Sequence, residues 1–166
     1  ALQVIATDAA IPVSTTSSNF TNFSTWGFAK TDPNSFVCGD STGMTLTAIG
    51  QDSTGVSCQI LTGFTGVKAL KAWYQVNINA AAGADIVSTS LSIASQAVSD
   101  SSEPPANNIN LTFANGVASI PLEYPNAGQI LAVNFKHDDA PYDNSVAELN
   151  GITLNASTSS FVARPD

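Results

Sequence analysis

Three short runs between Ile109 and Phe135 share a pattern that most folds cannot use. Residues 109–113 (INLTF), 117–122 (VASIPL) and 129–135 (QILAVNF) place apolar side chains on one side of an extended backbone, the two-residue period of a half-buried strand. Asn115-Gly116 separates the first two runs. Both residues tolerate positive φ, so the pair is the strongest short hairpin signal in the chain. The same period recurs at residues 44–50 (MTLTAIG) and, after a Gln-Asp-Ser-Thr-Gly turn, at 56–62 (VSCQILT). In residues 69–79 (ALKAWYQVNIN) it puts Leu70, Ala72, Tyr74, Val76 and Ile78 on one face, with Lys71, Trp73, Gln75 and Asn77 on the other. Residues 85–95 alternate less cleanly, 99–108 read as a polar Pro-bearing loop, and two closing strands are expected within 151–157 and 159–165. Helical candidates are short and uncapped. The pattern therefore predicts an all-β chain of about eight strands, folded as an antiparallel two-sheet sandwich. Residues 1–35 alternate little after Val13 and are rich in Ser, Thr and Asn. They are expected to form an N-terminal extension or the tail of a preceding domain, with residues 36–166 as the sandwich domain.

A chain of 166 residues is long enough to bury a core without metals or many disulfides. Charged residues make up only 11%, against roughly 25% in most soluble proteins. Hydroxyl and amide side chains fill the surface instead, as on many secreted β-rich proteins. An extracellular or cell-surface location is expected, with any export signal outside this segment. The net charge is −8, and Lys30, Lys68, Lys71, Lys136 and Arg164 are scattered. Nothing here would release counterions from a phosphate backbone, so no nucleic-acid partner is expected. An anionic membrane would repel the chain, and no apolar run approaches the ~20 residues of a span, so no membrane insertion is expected. Cys38 and Cys58 lie 20 positions apart. In an extracytoplasmic protein they read as a disulfide, which would stabilise the fold by roughly 3 kcal/mol through loop closure. Two free thiols are the alternative. With one histidine, zinc ligation is not supported.

The segment LEYPNAGQILAVNF (residues 122–135) carries a family resemblance. It resembles the corner through which immunoglobulin-like sandwiches enter a late core strand. Asn126 stands in the usual Asp place, Gly128 would supply φ > 0, and Tyr124 would be an aromatic plug before the turn. On that reading Gly128→Val lowers stability. The order of Leu70-Lys-Ala-Trp-Tyr74, Leu111-Thr-Phe with Asn-Gly, Tyr124-Pro-Asn-Ala-Gly128 and Ser160-Phe-Val-Ala-Arg-Pro165 also resembles the β-rich Ig-like region of MshQ-like proteins. These are large bacterial surface proteins associated with mannose-sensitive haemagglutinin type IV pili. The resemblance implies a non-catalytic structural or adhesive segment of such a protein. Its partners would be other domains or filament subunits, with assembly through exposed strand edges.

Candidate chemistry is sparse. No Gly-x-Ser-x-Gly elbow accompanies His137, which reads as an exposed loop residue, and Glu103, Glu123 and Glu148 show no pairing pattern. The chain is not expected to be an enzyme. Sugar binding, with or without calcium assistance, is the alternative. Trp26, Trp73 and Tyr142 are its candidate platforms, although a central-strand Trp73 more readily fills the core. No cofactor is required, but Asp138, Asp139 and Asp143 offer oxygen ligands for calcium on one acidic stretch. Calorimetric titration with calcium tests them: bound calcium gives heat and a raised melting temperature, and neither signal appears if the stretch is only a solvated loop.

Overall fold

The computed structural model describes residues 3–7, 12–16, 26–51, 58–77, 90–138 and 152–165. Alternation becomes strand at almost every expected place. One sheet is built on β7 (Gly66–Asn77) and β13 (Gly128–Asp138), which pair antiparallel. On the far edge of β7 lie β11 (Ile109–Phe113), antiparallel, and the two-residue β10 (Ser99–Asp100), parallel. On the far edge of β13 lie β15 (Phe161–Arg164) and β14 (Thr153–Ser157), and β15 in turn takes β4 (Phe36–Val37) in parallel. The second sheet runs β3 (Gly27–Thr31), β5 (Ser41–Gln51), β12 (Val117–Glu123), β8 (Ser92–Ile93), β9 (Gln96–Ala97), with β6 (Cys58–Ile60) also on β5. Separately, β1 (Gln3–Thr7) and β2 (Pro12–Thr16) form a two-stranded antiparallel sheet. The orders β3-β5-β12-β8 and β7-β13-β15 match the two sheets of an immunoglobulin-like sandwich. The expected boundary after residue 35 falls inside it: β3 belongs to one sheet, residues 32–35 cross, and β4 joins the other.

Between the sheets the inward side chains interdigitate. Met44, Leu46 and Ala48 of β5, Ala118, Ile120 and Leu122 of β12, Leu70 and Ala72 of β7, and Ile130, Val133 and Phe135 of β13 are all buried. Phe28 stacks on Phe113 at 5.8 Å, and Phe64 meets Phe113 edge-on at 4.8 Å, joining strands of both sheets through aromatic contacts.

The Asn-Gly turn forms, with φ of 50° at Asn115 and 83° at Gly116, and Ala114 and Val117 exchange both backbone hydrogen bonds across it. It does not continue as a hairpin. Past that single pair, β11 goes to β7 and β12 goes to β5, so the turn passes the chain from one sheet to the other. Gly116 is locked at the exchange. Its N–H donates to the Phe64 carbonyl (3.0 Å), its carbonyl accepts from Ala48 N–H (2.8 Å), and a Cβ there would lie 2.6 Å from the Leu61 carbonyl oxygen. Gly128 differs from expectation. Its φ is not positive, and an added Cβ would make an ordinary 3.8 Å contact with Val76. The corner turns without a left-handed residue, so the reason given for Gly128→Val does not hold.

The expected disulfide is also corrected. Cys38 and Cys58 are free thiols, the first half-buried and the second exposed. Cys38 sits in the turn before Ser41, the start of β5, with its N–H donating to the Arg164 carbonyl. Cys58 pairs with Gln51, the other end of β5. Ten extended steps separate these ends, about 33 Å, whereas a disulfide needs its Cα atoms within about 7 Å. Spacing in sequence misleads because β5 carries the chain away from Cys38.

Gly116→Ala should cost roughly 2–4 kcal/mol, from positive φ plus the clash with Leu61. Gly128→Ala should stay within about 1 kcal/mol of the parent. Denaturant melts of the two variants check the contrast.

Candidate functional site

Burial alternates over residues 70–75 of β7 and 133–137 of β13, and this decides which residues face outward. Leu70, Ala72 and Tyr74 are buried, as are Val133, Phe135 and His137, so Lys71, Trp73, Gln75, Asn134 and Lys136 point away from the core. The preferred placement of Trp73 in the core is thus reversed, and Tyr74 takes the inward position. Register builds the outer face in rows. Trp73 lies opposite Asn134, which lies opposite Ser157; Lys71 lies opposite Lys136, which lies opposite Asn155. Lys71 Nζ donates to the carbonyls of Pro105 (2.8 Å) and Ala106 (3.4 Å), so the Pro-bearing loop is tied to this face. Between Ile130 and Ala132 the register shifts by a β-bulge, leaving Leu131 exposed beside the rows. On the opposite edge of β13, pairing passes from β15 at Ile130 to β14 at Asn134, and Thr158 bridges the gap. Its hydroxyl accepts from Val133 N–H (2.9 Å) and its own N–H donates to the Val133 carbonyl (3.0 Å).

Other candidates are dispersed. Trp26 packs against the core above Gly50, where an added Cβ would lie 2.5 Å from the indole ring, so it forms no platform with Trp73. Tyr142, Asp139 and Asp143 lie outside the described residues, and only the backbone of Asp138, opposite Thr153 at the end of β13, falls within them. Among the described residues no three His, Cys, Asp or Glu side chains gather as metal ligands. Glu103 and Glu123 are exposed, in a loop and on β12 respectively.

Sequence reasoning missed a buried basic cluster. His137, expected in an exposed loop, is 3% exposed on β13. Its Nδ1 lies 3.0 Å from the Ala69 carbonyl and so carries the proton there, and its ring meets Phe64 edge-on. Lys68 is equally buried, with Nζ 5.1 Å from the Phe64 ring centre. A cation over an aromatic face recovers part of its lost hydration. The signal was available: Lys68 has the same parity as Leu70 and Ala72 on β7.

At the corner, Tyr124 is buried and its ring meets Tyr74 at 5.8 Å and 65°. The Tyr124 carbonyl accepts from Gly39 N–H, joining the corner to the turn before β5. Burial, reinforced by neighbouring Tyr124 and by Asp100, pushes the Tyr74 phenol up to about 12, while a backbone hydrogen bond with Leu91 acts in the opposite sense.

The chain matches, over residues 8–156, the family described as "Domain of unknown function (DUF6701), first Ig-like domain". It belongs to that family. No curated protein and no solved structure matches it.

Because the folded state holds Tyr74 neutral, its contribution to stability is complete below the ordinary phenol value of 10 and is lost as pH rises toward 12. Ultraviolet titration should show one phenol ionising late, and Tyr74→Phe should remove that step. Ionisation of all tyrosines near the ordinary value would contradict the packing described.

Proposed function

We propose that this first Ig-like domain of the DUF6701 family is a non-catalytic structural or adhesive link in a large extracytoplasmic bacterial protein, of the pilus-associated kind that its sequence resembles. The word "first" in the family description supports a place in series with further domains. One observation carries the reading: both flanks of the sandwich are tied by bonds within the chain. On one flank, the Gln96 side-chain amide donates to the Asn110 carbonyl and accepts from Asn110 N–H, both at 2.8 Å, answering the outward backbone groups of that residue of β11. On the other, Asp32 pairs with Lys30 and accepts from Ser159 N–H (2.9 Å), while Ser35 Oγ accepts from Val162 N–H (3.2 Å). The Lys30 contact, with that from Ser159, pushes the Asp32 carboxyl down to about 2, so the tie stays ionised through moderately acidic pH.

Ties of this kind favour a unit that meets its neighbours by ends and faces rather than by lending strand edges. On this reading neighbours meet by docking of whole domains in preference to the assembly through strand edges that the sequence resemblance implies. An in-frame deletion of this domain from its parent should reduce adhesion or surface assembly while the remainder still reaches the cell surface; unaltered adhesion and assembly would sink the role. In the isolated protein, Gln96→Ala should cost about 1–3 kcal/mol and promote self-association visible in sedimentation. A wild-type protein that already dimerises through β11 would contradict the closed flank.

A further inference from the structure

Where the chain enters and leaves the sandwich sets how the domain answers a pull along the chain. Entry is through β3, whose Gly27 lies opposite Ile49; Ile60 shares that partner, and Gly116 stands beside Ile60. Residues 32–35 then cross between the sheets, and β4 lies parallel to β15, the last strand described. At the end of β15 the Arg164 carbonyl accepts from Cys38 N–H (2.7 Å), and the neighbouring Gly39 N–H donates to the Tyr124 carbonyl. β12 runs from Val117, next to Gly116, to Glu123, next to Tyr124. The chain therefore enters at one end of the sandwich and leaves at the other.

Four pairs keep the entering and leaving segments in step. Asp32 accepts from Ser159 N–H (2.9 Å), and Ser35 Oγ accepts from Val162 N–H (3.2 Å). Phe36 lies opposite Ala163, and Val37 opposite Arg164. Each pair is 127 positions apart, and a constant offset is the mark of two parallel segments. The buried rings of Phe36 and Phe161 meet at 6.1 Å within the seam. β4 has only two residues, so Asp32 and Ser35 extend the seam along residues that form no strand. Under tension the first segment is drawn toward the Gly116 end and the second toward the Tyr124 end, each along its own axis. Such a pull slides one segment past the other and loads every tie at once. Terminal strands leaving at the same end would be parted one pair at a time.

We propose that this parallel seam is a clamp that makes the domain resist tension applied along the chain. Resting on the reading of the domain as a link in series, it gives the ties of that flank a task beyond closing an edge. Side chains that accept from backbone N–H groups do here what ladder bonds do elsewhere, holding two segments in fixed register.

Single-molecule stretching of the 166-residue chain tests the clamp in two geometries, both in a Cys38→Ser, Cys58→Ser background. In one, tension is applied at the two chain ends. In the other it is applied between Thr62→Cys and Ser102→Cys, two exposed positions with neither segment of the seam between them. At equal load, Asp32→Ala with Ser35→Ala should speed end-to-end unfolding about tenfold, the scale of the hydrogen bonds removed. Between the internal positions the same substitutions should change the rate far less. Melting curves establish that the variants are folded; should the double variant not fold, Ser35→Ala alone takes its place, with an end-to-end acceleration of about threefold. An unchanged end-to-end rate overturns the proposal. So does equal acceleration in both geometries, which would reduce the ties to general stabilisation. Because the measurement uses this chain alone, its failure is distinct from the failure of the link reading, which the deletion in the parent protein tests.

Discussion

A two-sheet sandwich depends on what happens to backbone polar groups where the chain leaves one sheet for the other. Inside a sheet each N–H and C=O is answered by a neighbouring strand; at a crossing it is not, and an unanswered buried group costs about 1–3 kcal/mol. This protein meets the difficulty at each described crossing with a specific local bond. Gly116 hands the chain from β11 to β12 while bonded to Phe64 and Ala48. Between β3 and β4, Asp32 and Ser35 accept from Ser159 and Val162. At the corner after β12, the Tyr124 carbonyl is taken by Gly39. Apolar burial makes the core favourable, but these bonds determine the route by which the chain encloses it.

Strands were legible because their period is a property of neighbouring residues. The faces of β7, the Asn115-Gly116 turn and the two closing strands all follow from residues within a few positions of one another. What the turn connects was not legible, since hairpin and sheet exchange use the same dipeptide and differ only in where β5 and β7 stand. The cysteines failed for a related reason: separation along the sequence does not report an extended strand lying between them. Gly128 was given a left-handed role by resemblance to other corners, whereas the residue with that constraint is Gly116.

The candidate site was half legible. Alternation placed Trp73 with Lys71 and Gln75, but choosing which face is outward required β13, whose bulge interrupts the count between Ile130 and Ala132. The Lys71–Lys136 pairing is a long-range register fact that no local pattern displays. His137 and Lys68 show the converse case, in which residue type outweighed strand parity in the sequence reading. Their burial around Phe64 places two nitrogen-bearing side chains in a largely apolar interior.

The turn between β8 and β9 gives the closed flank a wider meaning. Ala94 and Ser95 both adopt positive φ, 49° and 62°, without glycine or asparagine to ease it, at a cost of about 1–2 kcal/mol each. Ala94 N–H is held by the Pro121 carbonyl, and the next residue is Gln96. Local strain thus aims one amide side chain at the backbone of another sheet. Domains strung in one chain stay at high mutual concentration, and a strand left open in one becomes a place for its neighbour to misfold. A domain that closes its own flank with a side chain, leaving no need for a partner strand, can be repeated in series and stretched or crowded without exchanging segments with the next.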